Sequence, residues 1–224
     1  MRRPSIQMIK ALRKTSLIDF PNAISSVIFT GGCNFSCKYC YNTDLVYKSH
    51  EMKTIPEEYV IELLLSRKKF INHIVITGGE PTLHNILPLL KKLKDNGFII
   101  KLDTNAHSED FQTLLNYIDY LAIDFKAPLH LYKHITGVQP NIDLLKKNFH
   151  LAKTIKHEFR SVLWKEHPLL NNVDEIATTI GNSPYFLQNI SLTSGFTPLE
   201  EFEFDNFLNQ LINHKINVKT RAKF

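Results

Sequence analysis

All three cysteines of this 224-residue chain fall in one short run, Gly31-Gly32-Cys33-Asn34-Phe35-Ser36-Cys37-Lys38-Tyr39-Cys40-Tyr41-Asn42. An odd, clustered set of thiols points to metal binding or catalysis before disulfides. A cubane iron–sulfur cluster has four irons, and electron carriers hold each with a cysteine. Three thiolates spaced C-x3-C-x2-C leave one iron open, and an open position separates a catalytic metal site from a closed structural one. The glycines ahead of Cys33 let backbone approach such a group closely. Two other readings stay open on the cysteines alone. One is a Cys3His zinc site completed by His50 or His84, as in a module that binds RNA or protein without catalysis. The other is a redox pair, Cys37-x-x-Cys40, which leaves Cys33 without a task.

With 43% hydrophobic and 22% charged residues the chain can bury a sizeable core. No apolar run approaches the roughly eighteen residues of a membrane span. The basic start Met1-Arg2-Arg3-Pro4 is not followed by the apolar stretch of a signal peptide. A cytoplasmic protein is the simplest expectation. The net charge of +5 gathers toward both ends, in Arg2, Arg3, Lys10, Arg13 and Lys14, then Lys215, Lys219, Arg221 and Lys223. A solvated lysine-rich surface accounts for this without a nucleic-acid partner.

Short β-branched runs alternate with helical-period stretches. Strands are expected at Ile24–Thr30, His73–Thr77, Phe98–Asp103, Tyr120–Phe125, Glu158–Trp164 and Gln188–Thr193, with a short terminal one at Ile216–Thr220. The helices between them carry Val60, Leu63, Leu64 and Phe70; Ile86, Leu89, Leu90 and Leu93; Phe111, Leu114 and Leu115; Ile142, Leu145, Phe149 and Ala152; Val173, Ile176 and Ile180; and Phe204, Phe207, Leu208 and Leu211. Thr54-x-x-Glu57 reads as a capping box, and Asn96-Gly97 and Gly181 as stops. Six β–α units in series imply a parallel sheet covered by helices. A full barrel needs about 250 residues. The expectation is therefore an α/β fold, a partial (β/α)6 TIM-like barrel open on one side. It forms a single domain: residues 1–23 as a lead-in, 24–214 as the barrel and 215–224 as a tail. Ligands of such sheets gather at the carboxyl ends of the strands.

The second expected strand runs into Thr77-Gly78-Gly79-Glu80-Pro81-Thr82. A Gly-Gly pair there presents backbone groups with no side chain in the way. The cysteine triad and Gly78-Gly79-Glu80-Pro81 together resemble the signature of the radical S-adenosylmethionine superfamily, and the likeness covers nearly the whole chain. It implies a [4Fe-4S] cluster on Cys33, Cys37 and Cys40 whose open iron chelates S-adenosylmethionine. One electron then splits the sulfonium, leaving methionine and a 5′-deoxyadenosyl radical that abstracts hydrogen. The cofactor supplies the hard chemistry, so no protein acid or base is assigned. The ten histidines show no ligand spacing.

Lys14-Thr15-Ser16-Leu17-Ile18-Asp19-Phe20-Pro21 and Val27-Ile28-Phe29-Thr30 look like the lead-in of activating enzymes for anaerobic ribonucleoside-triphosphate reductase. The likeness to glycyl-radical activating enzymes implies further cofactor contacts at Tyr39, Asn42, Gly78, Gly79, Glu80 and Pro81. It places a monovalent cation (Na+ or K+) on Asp103 and Thr104, ribose contact at Asn105, and cofactor and substrate contacts at Asp124 and Lys126. Arg160 falls in the place of a cofactor-binding arginine. The implied partners are a glycyl radical enzyme, namely the large subunit of that reductase, and a flavodoxin- or ferredoxin-type electron donor. On their residues alone, Asp103 would serve as a turn cap and Asp124 with Lys126 as an ion pair. A related reading keeps the chemistry and changes the substrate to a purine-derived metabolite, as in 7-carboxy-7-deazaguanine synthesis, or to RNA. Three positions depart from the pattern: Tyr41 replaces a polar residue, and Asn22 and Ala106 replace glycines. Asparagine tolerates the left-handed conformation; alanine at a positive φ is strained.

Overall fold

The computed structural model describes residues 8–191 and 195–220. They divide into two compact units: residues 8–34 with 42–121, and residues 35–41 with 122–191 and 195–220. The strand order follows the chain from β1 to β8.

In the first unit, β1 (Ile9–Phe20) pairs antiparallel with β2 (Ala23–Thr30). Parallel neighbours follow: β3 (His73–Gly78) beside β2, and β4 (Ile99–Thr104) beside β3. Val27, Ile28, Ile74, Val75, Ile76, Ile100 and Leu102 are fully buried. Such continuous apolar runs mark parallel strands covered on both faces. Helices α1 (Thr43–Tyr47), α2 (Glu57–Arg67), α3 (Leu87–Asp95) and α4 (Phe111–Leu115) complete this unit. Helix α3 turns Leu89, Leu90 and Leu93 inward and ends at Asn96, with Gly97 at φ 69° as its stop.

Strand β5 (Tyr120–Asp124) begins in the first unit and ends in the second. The second unit continues through α5 (Tyr132–Thr136), α6 (Ile142–Ala152), β6 (His157–Leu163), α7 (Val173–Ile180), β7 (Tyr185–Asn189), α8 (Glu201–Asn213) and β8 (Val218–Thr220). β7 pairs parallel with both β6 and β8. The Phe125 amide donates to Arg160 O at 2.8 Å, tying the end of β5 to β6. Phe149 stacks edge-on against Phe125 and Phe159, seating α6 on these strands. The fold class is the expected one: an α/β fold with a mostly parallel sheet, as in a partial (β/α) barrel.

Several details differ from the sequence expectations. The lead-in is a twelve-residue strand, β1. Register shifts interrupt its pairing, and only Ile9, Ser16 and Phe20 along it are buried, so it lacks a two-residue rhythm. The expected capping box at Thr54 does not form: α2 starts after Pro56 with no side-chain cap, and Thr54 Oγ1 accepts from Lys10 Nζ at 2.9 Å. A capping box forms instead at α8, between Glu200 and Glu203. Phe70, expected inside, is 83% exposed because it lies beyond the end of α2. β7 lies earlier than Gln188–Thr193, since Phe159–Leu163 pair with Tyr185–Asn189. Leu192 and Thr193 of that expectation lie outside the described residues.

These placements predict a contrast. Leu93→Ala, at a fully buried site, should cost 2–5 kcal/mol in denaturant unfolding on the usual scale for core truncations, roughly. Phe70→Ser should change stability by no more than about 0.5 kcal/mol.

Candidate functional site

In the first unit, β2 and β3 end side by side, and the loops that leave them interlock. Gly79 N donates to Thr30 O and Glu80 N to Gly32 O, each at 2.8 Å. Asn42 Nδ2 donates to Gly78 O at 2.9 Å, and Gly32 N to Leu45 O at 2.8 Å. The two glycines are needed for this approach. A Cβ on Gly79 would stand 1.8 Å from Gly32 O, and one on Gly78 would stand 2.4 Å from Thr30 N and O. Gly78 also takes φ 122°, where side chains are rarely accommodated. The glycine turn thus grips the start of the cysteine loop, with Gly79 N–H and Gly78 C=O already engaged. His84 Nε2 lies 2.6 Å from Gly31 O, a further tie to the same loop.

Glu80 is 2% exposed, yet its carboxylate accepts four hydrogen bonds. They come from Thr82 N at 3.0 Å, Thr82 Oγ1 at 2.6 Å, Thr104 Oγ1 at 2.7 Å and Asn105 N at 2.7 Å. Burial holds its carboxyl above the ordinary range, while these donors pull it down. Glu80 is therefore the post that fixes the end of β4. Asn105 Nδ2 donates to Asn34 Oδ1 at 2.7 Å, and Asn34 Nδ2 to His107 O at 3.0 Å. Asn34, directly after Cys33, was not singled out from the sequence, because one asparagine in a loop carries no spacing signal. Ala106 takes φ 61° and is fully buried, with its amide donating to Thr104 Oγ1 at 3.0 Å. Left-handed backbone costs an alanine about 1–2 kcal/mol, so this network holds it in place. Asn22 sits at φ 57° in the β1–β2 turn, as its residue type allows.

In the second unit, Asp124 at the end of β5 is gripped from two sides. Lys126 Nζ lies 3.0 Å from Oδ2, while Arg160 Nη2 and Nε lie 2.9 and 3.2 Å from Oδ1. Burial alone would raise the Asp124 carboxyl, but Lys126 and Arg160 bring it down to about 2. Asp124 in turn holds the Lys126 ammonium well above its usual value, against its burial. Lys126 Nζ sits 5.9 Å from the centre of the Tyr39 ring, which packs on Trp164 at 4.9 Å. Burial pushes the Tyr39 phenol up, and the Cys37 thiol likewise, with Lys126 opposing both. Lys38, Tyr39, Trp164, Lys165 and Phe196 line part of a cavity of about 440 Å³ that borders the loop between Cys37 and Cys40. In the sequence Trp164 marks only a strand end. Its partners, His167 at 4.1 Å and Phe196 at 4.7 Å, are distant in sequence.

Cys33 belongs to the first unit, and Cys37 and Cys40 to the second. All three are free of disulfides. Among the described residues no three His, Cys, Asp or Glu side chains are gathered as for a metal ion. The donor set still suits an iron–sulfur cluster in kind: three thiols, with glycine backbone packed tightly where the loop begins. It suits zinc less well. His84 is engaged with Gly31 O, and His50 is 75% exposed beside Glu51. Tyr41 is 84% exposed.

Residues 27–173, over half of the chain, match the family model of the Radical SAM superfamily. The chain belongs to this superfamily, and membership implies a [4Fe-4S] cluster and S-adenosylmethionine. Two proteins of Methanocaldococcus jannaschii, both provisionally assigned as glycyl-radical enzyme activating enzymes, are similar to it. One is 34% identical over 158 residues, covering 63% of this chain and 64% of that protein. The other is 40% identical over 162 residues, covering 69% and 62%. This chain thus spans a little under two thirds of either. A pyruvate formate-lyase-activating enzyme of Staphylococcus aureus is 27% identical over 180 residues, covering 72% of this chain and 68% of its own length. Among solved structures, QueE from Escherichia coli superposes with a TM-score of 0.64 at 17% identity, covering 96% of this chain and 94% of its own. Streptococcus suis SuiB bound to S-adenosylmethionine gives 0.61 at 19% identity, covering 85% and 48%. These two likenesses concern the fold. No helix among the described residues is long and apolar enough to cross a membrane.

Two predictions follow from the geometry. Gly79→Ala should cost about 3 kcal/mol or more, because backbone rather than a flexible side chain stands in the way; thermal unfolding against wild type checks it. The folded carboxyl of Asp124, at about 2, lies below the unfolded value near 3.8. Its grip therefore stabilises above about pH 4 and fades as pH falls through about 2. Asp124→Asn should be less stable than wild type at pH 7, and the gap should narrow as pH falls toward 2.

Proposed function

We propose that this chain is a radical S-adenosylmethionine enzyme that installs a glycyl radical on a partner enzyme in the cytoplasm. The observation that carries the reading is the interlock of the cysteine loop with the Gly78-Gly79-Glu80 turn in one unit, together with superfamily membership. The names of its relatives support the choice of an activating enzyme.

In this reading Cys33, Cys37 and Cys40 hold the cluster. When bound, the cluster and S-adenosylmethionine supply a 5′-deoxyadenosyl radical able to take hydrogen from a glycine Cα. The chain's own work is placement and exclusion of water. Gly78, Gly79, Glu80, Pro81 and Asn42 set the wall beside the cysteine loop. Thr104 and Asn105 are pinned through Glu80, so the end of β4 presents Asn105 without rearrangement. Asp124 keeps Lys126 charged and orients Arg160, and Lys126 over Tyr39 offers a fixed positive group to an anionic part of the cofactor. The cavity beside Lys38 and Tyr39 would receive the partner's glycine-bearing segment.

The partner we assign is the large subunit of an anaerobic ribonucleoside-triphosphate reductase. The Lys14–Pro21 run favours it over a free purine metabolite, and a flavodoxin- or ferredoxin-type protein would donate the electron. The reconstituted, reduced chain is expected to cleave S-adenosylmethionine and to raise a glycyl doublet in the electron paramagnetic resonance spectrum of that reductase. No cleavage would end the radical reading. Cleavage with no doublet on the reductase would overturn the partner.

A further inference from the structure

Alternation along β4 puts Lys101 and Asp103 on one face of the strand. Lys101 is fully buried, and its Nζ lies 2.5 Å from Asp103 Oδ1; the two side chains are 1% and 11% exposed. An ammonium withdrawn from water this completely must be paired to stay charged, and Asp103 pairs it. The neighbouring Thr104 hydroxyl gives its proton to Glu80 Oε1 at 2.7 Å and accepts the Ala106 amide at 3.0 Å. Its donor and one of its two lone pairs are thereby committed. A monovalent cation on Asp103 and Thr104 would share one carboxylate with an ammonium already seated on it. Two like charges on a buried carboxylate repel strongly, since little solvent screens them. The residues present do not fit a cation.

We propose that Lys101 stands in for that ion. The positive charge beside Asp103 is built into β4 as an ammonium, and the chain needs neither Na+ nor K+ at this point. The inference rests on the proposed function only through the likeness to activating enzymes that names Asp103 and Thr104 as the pair where a cation belongs.

The test is cation-selective stability, which needs no radical chemistry, so its outcome is separate from that of the cleavage assay. Thermal unfolding of the full chain is measured in KCl, NaCl and choline chloride at equal ionic strength. Wild type should melt at one temperature in all three. Lys101→Met leaves Asp103 without its ammonium, so its melting temperature should climb with the logarithm of K+ or Na+ concentration and stay flat in choline. Lys101→Arg keeps the charge and should remain indifferent. A selective K+ or Na+ effect on wild type would overturn the proposal, as would a folded Lys101→Met that ignores both ions. Should Lys101→Met not fold, thallium-205 NMR on wild type decides. The absence of saturable binding upholds the stand-in, and saturable binding that K+ competes away refutes it.

Discussion

Two backbones meet at Gly32 and Gly79 with no room for a single added carbon between them. That approach joins the start of the cysteine loop to the turn after β3 through a pair of backbone hydrogen bonds, and the rest of the first unit's site is arranged around it. Glu80, next in the turn, points inward and collects donors from Thr82, Thr104 and Asn105. One residue thereby transmits the position of the glycine turn to the end of β4. The sequence demand is narrow: glycine for the approach, then a carboxylate long enough to reach the next strand end.

Charge organises both units, each by its own pair or cluster. In the first, Lys101 and Asp103 neutralise each other deep on β4. In the second, Asp124 is surrounded by Lys126 and Arg160, and Lys126 also faces the Tyr39 ring. Buried ion pairs are poor evidence of stability, because desolvation opposes the attraction. Their consequence here is orientation. A lysine held by a carboxylate and an aromatic face has few other places to go, so its charge is fixed in direction before any ligand arrives.

The alternation of strands and helices was legible because buried parallel strands such as Val27–Ile28 and Ile74–Ile76 leave unmistakable apolar runs, and helices such as α3 and α6 keep a clean period. The candidate positions were legible for another reason: glycine pairs, clustered cysteines and charged residues stand out at strand ends. What escaped was whatever depends on distant partners. β1 is irregular and bears few buried residues, so its pattern is silent. Thr54 carried the letters of a capping box, but Lys10 claims its hydroxyl. Glu200 and Glu203 form the real box without the usual serine or threonine. Nothing in the sequence singles out Lys101; the fold buries it and pairs it with Asp103, two residues on. Ala106 was legible as a conditional: alanine would be strained if the backbone turned left-handed, and it does.

The account rests on three thiols carrying a cluster with one iron that no cysteine holds. Mössbauer spectroscopy of the iron-57-reconstituted chain, with and without S-adenosylmethionine, tests this most directly. One iron in four should separate from the rest and shift when the nucleotide is added. Four equivalent thiolate-held irons indifferent to the nucleotide, or a chain that takes up a single zinc in place of iron, would contradict it.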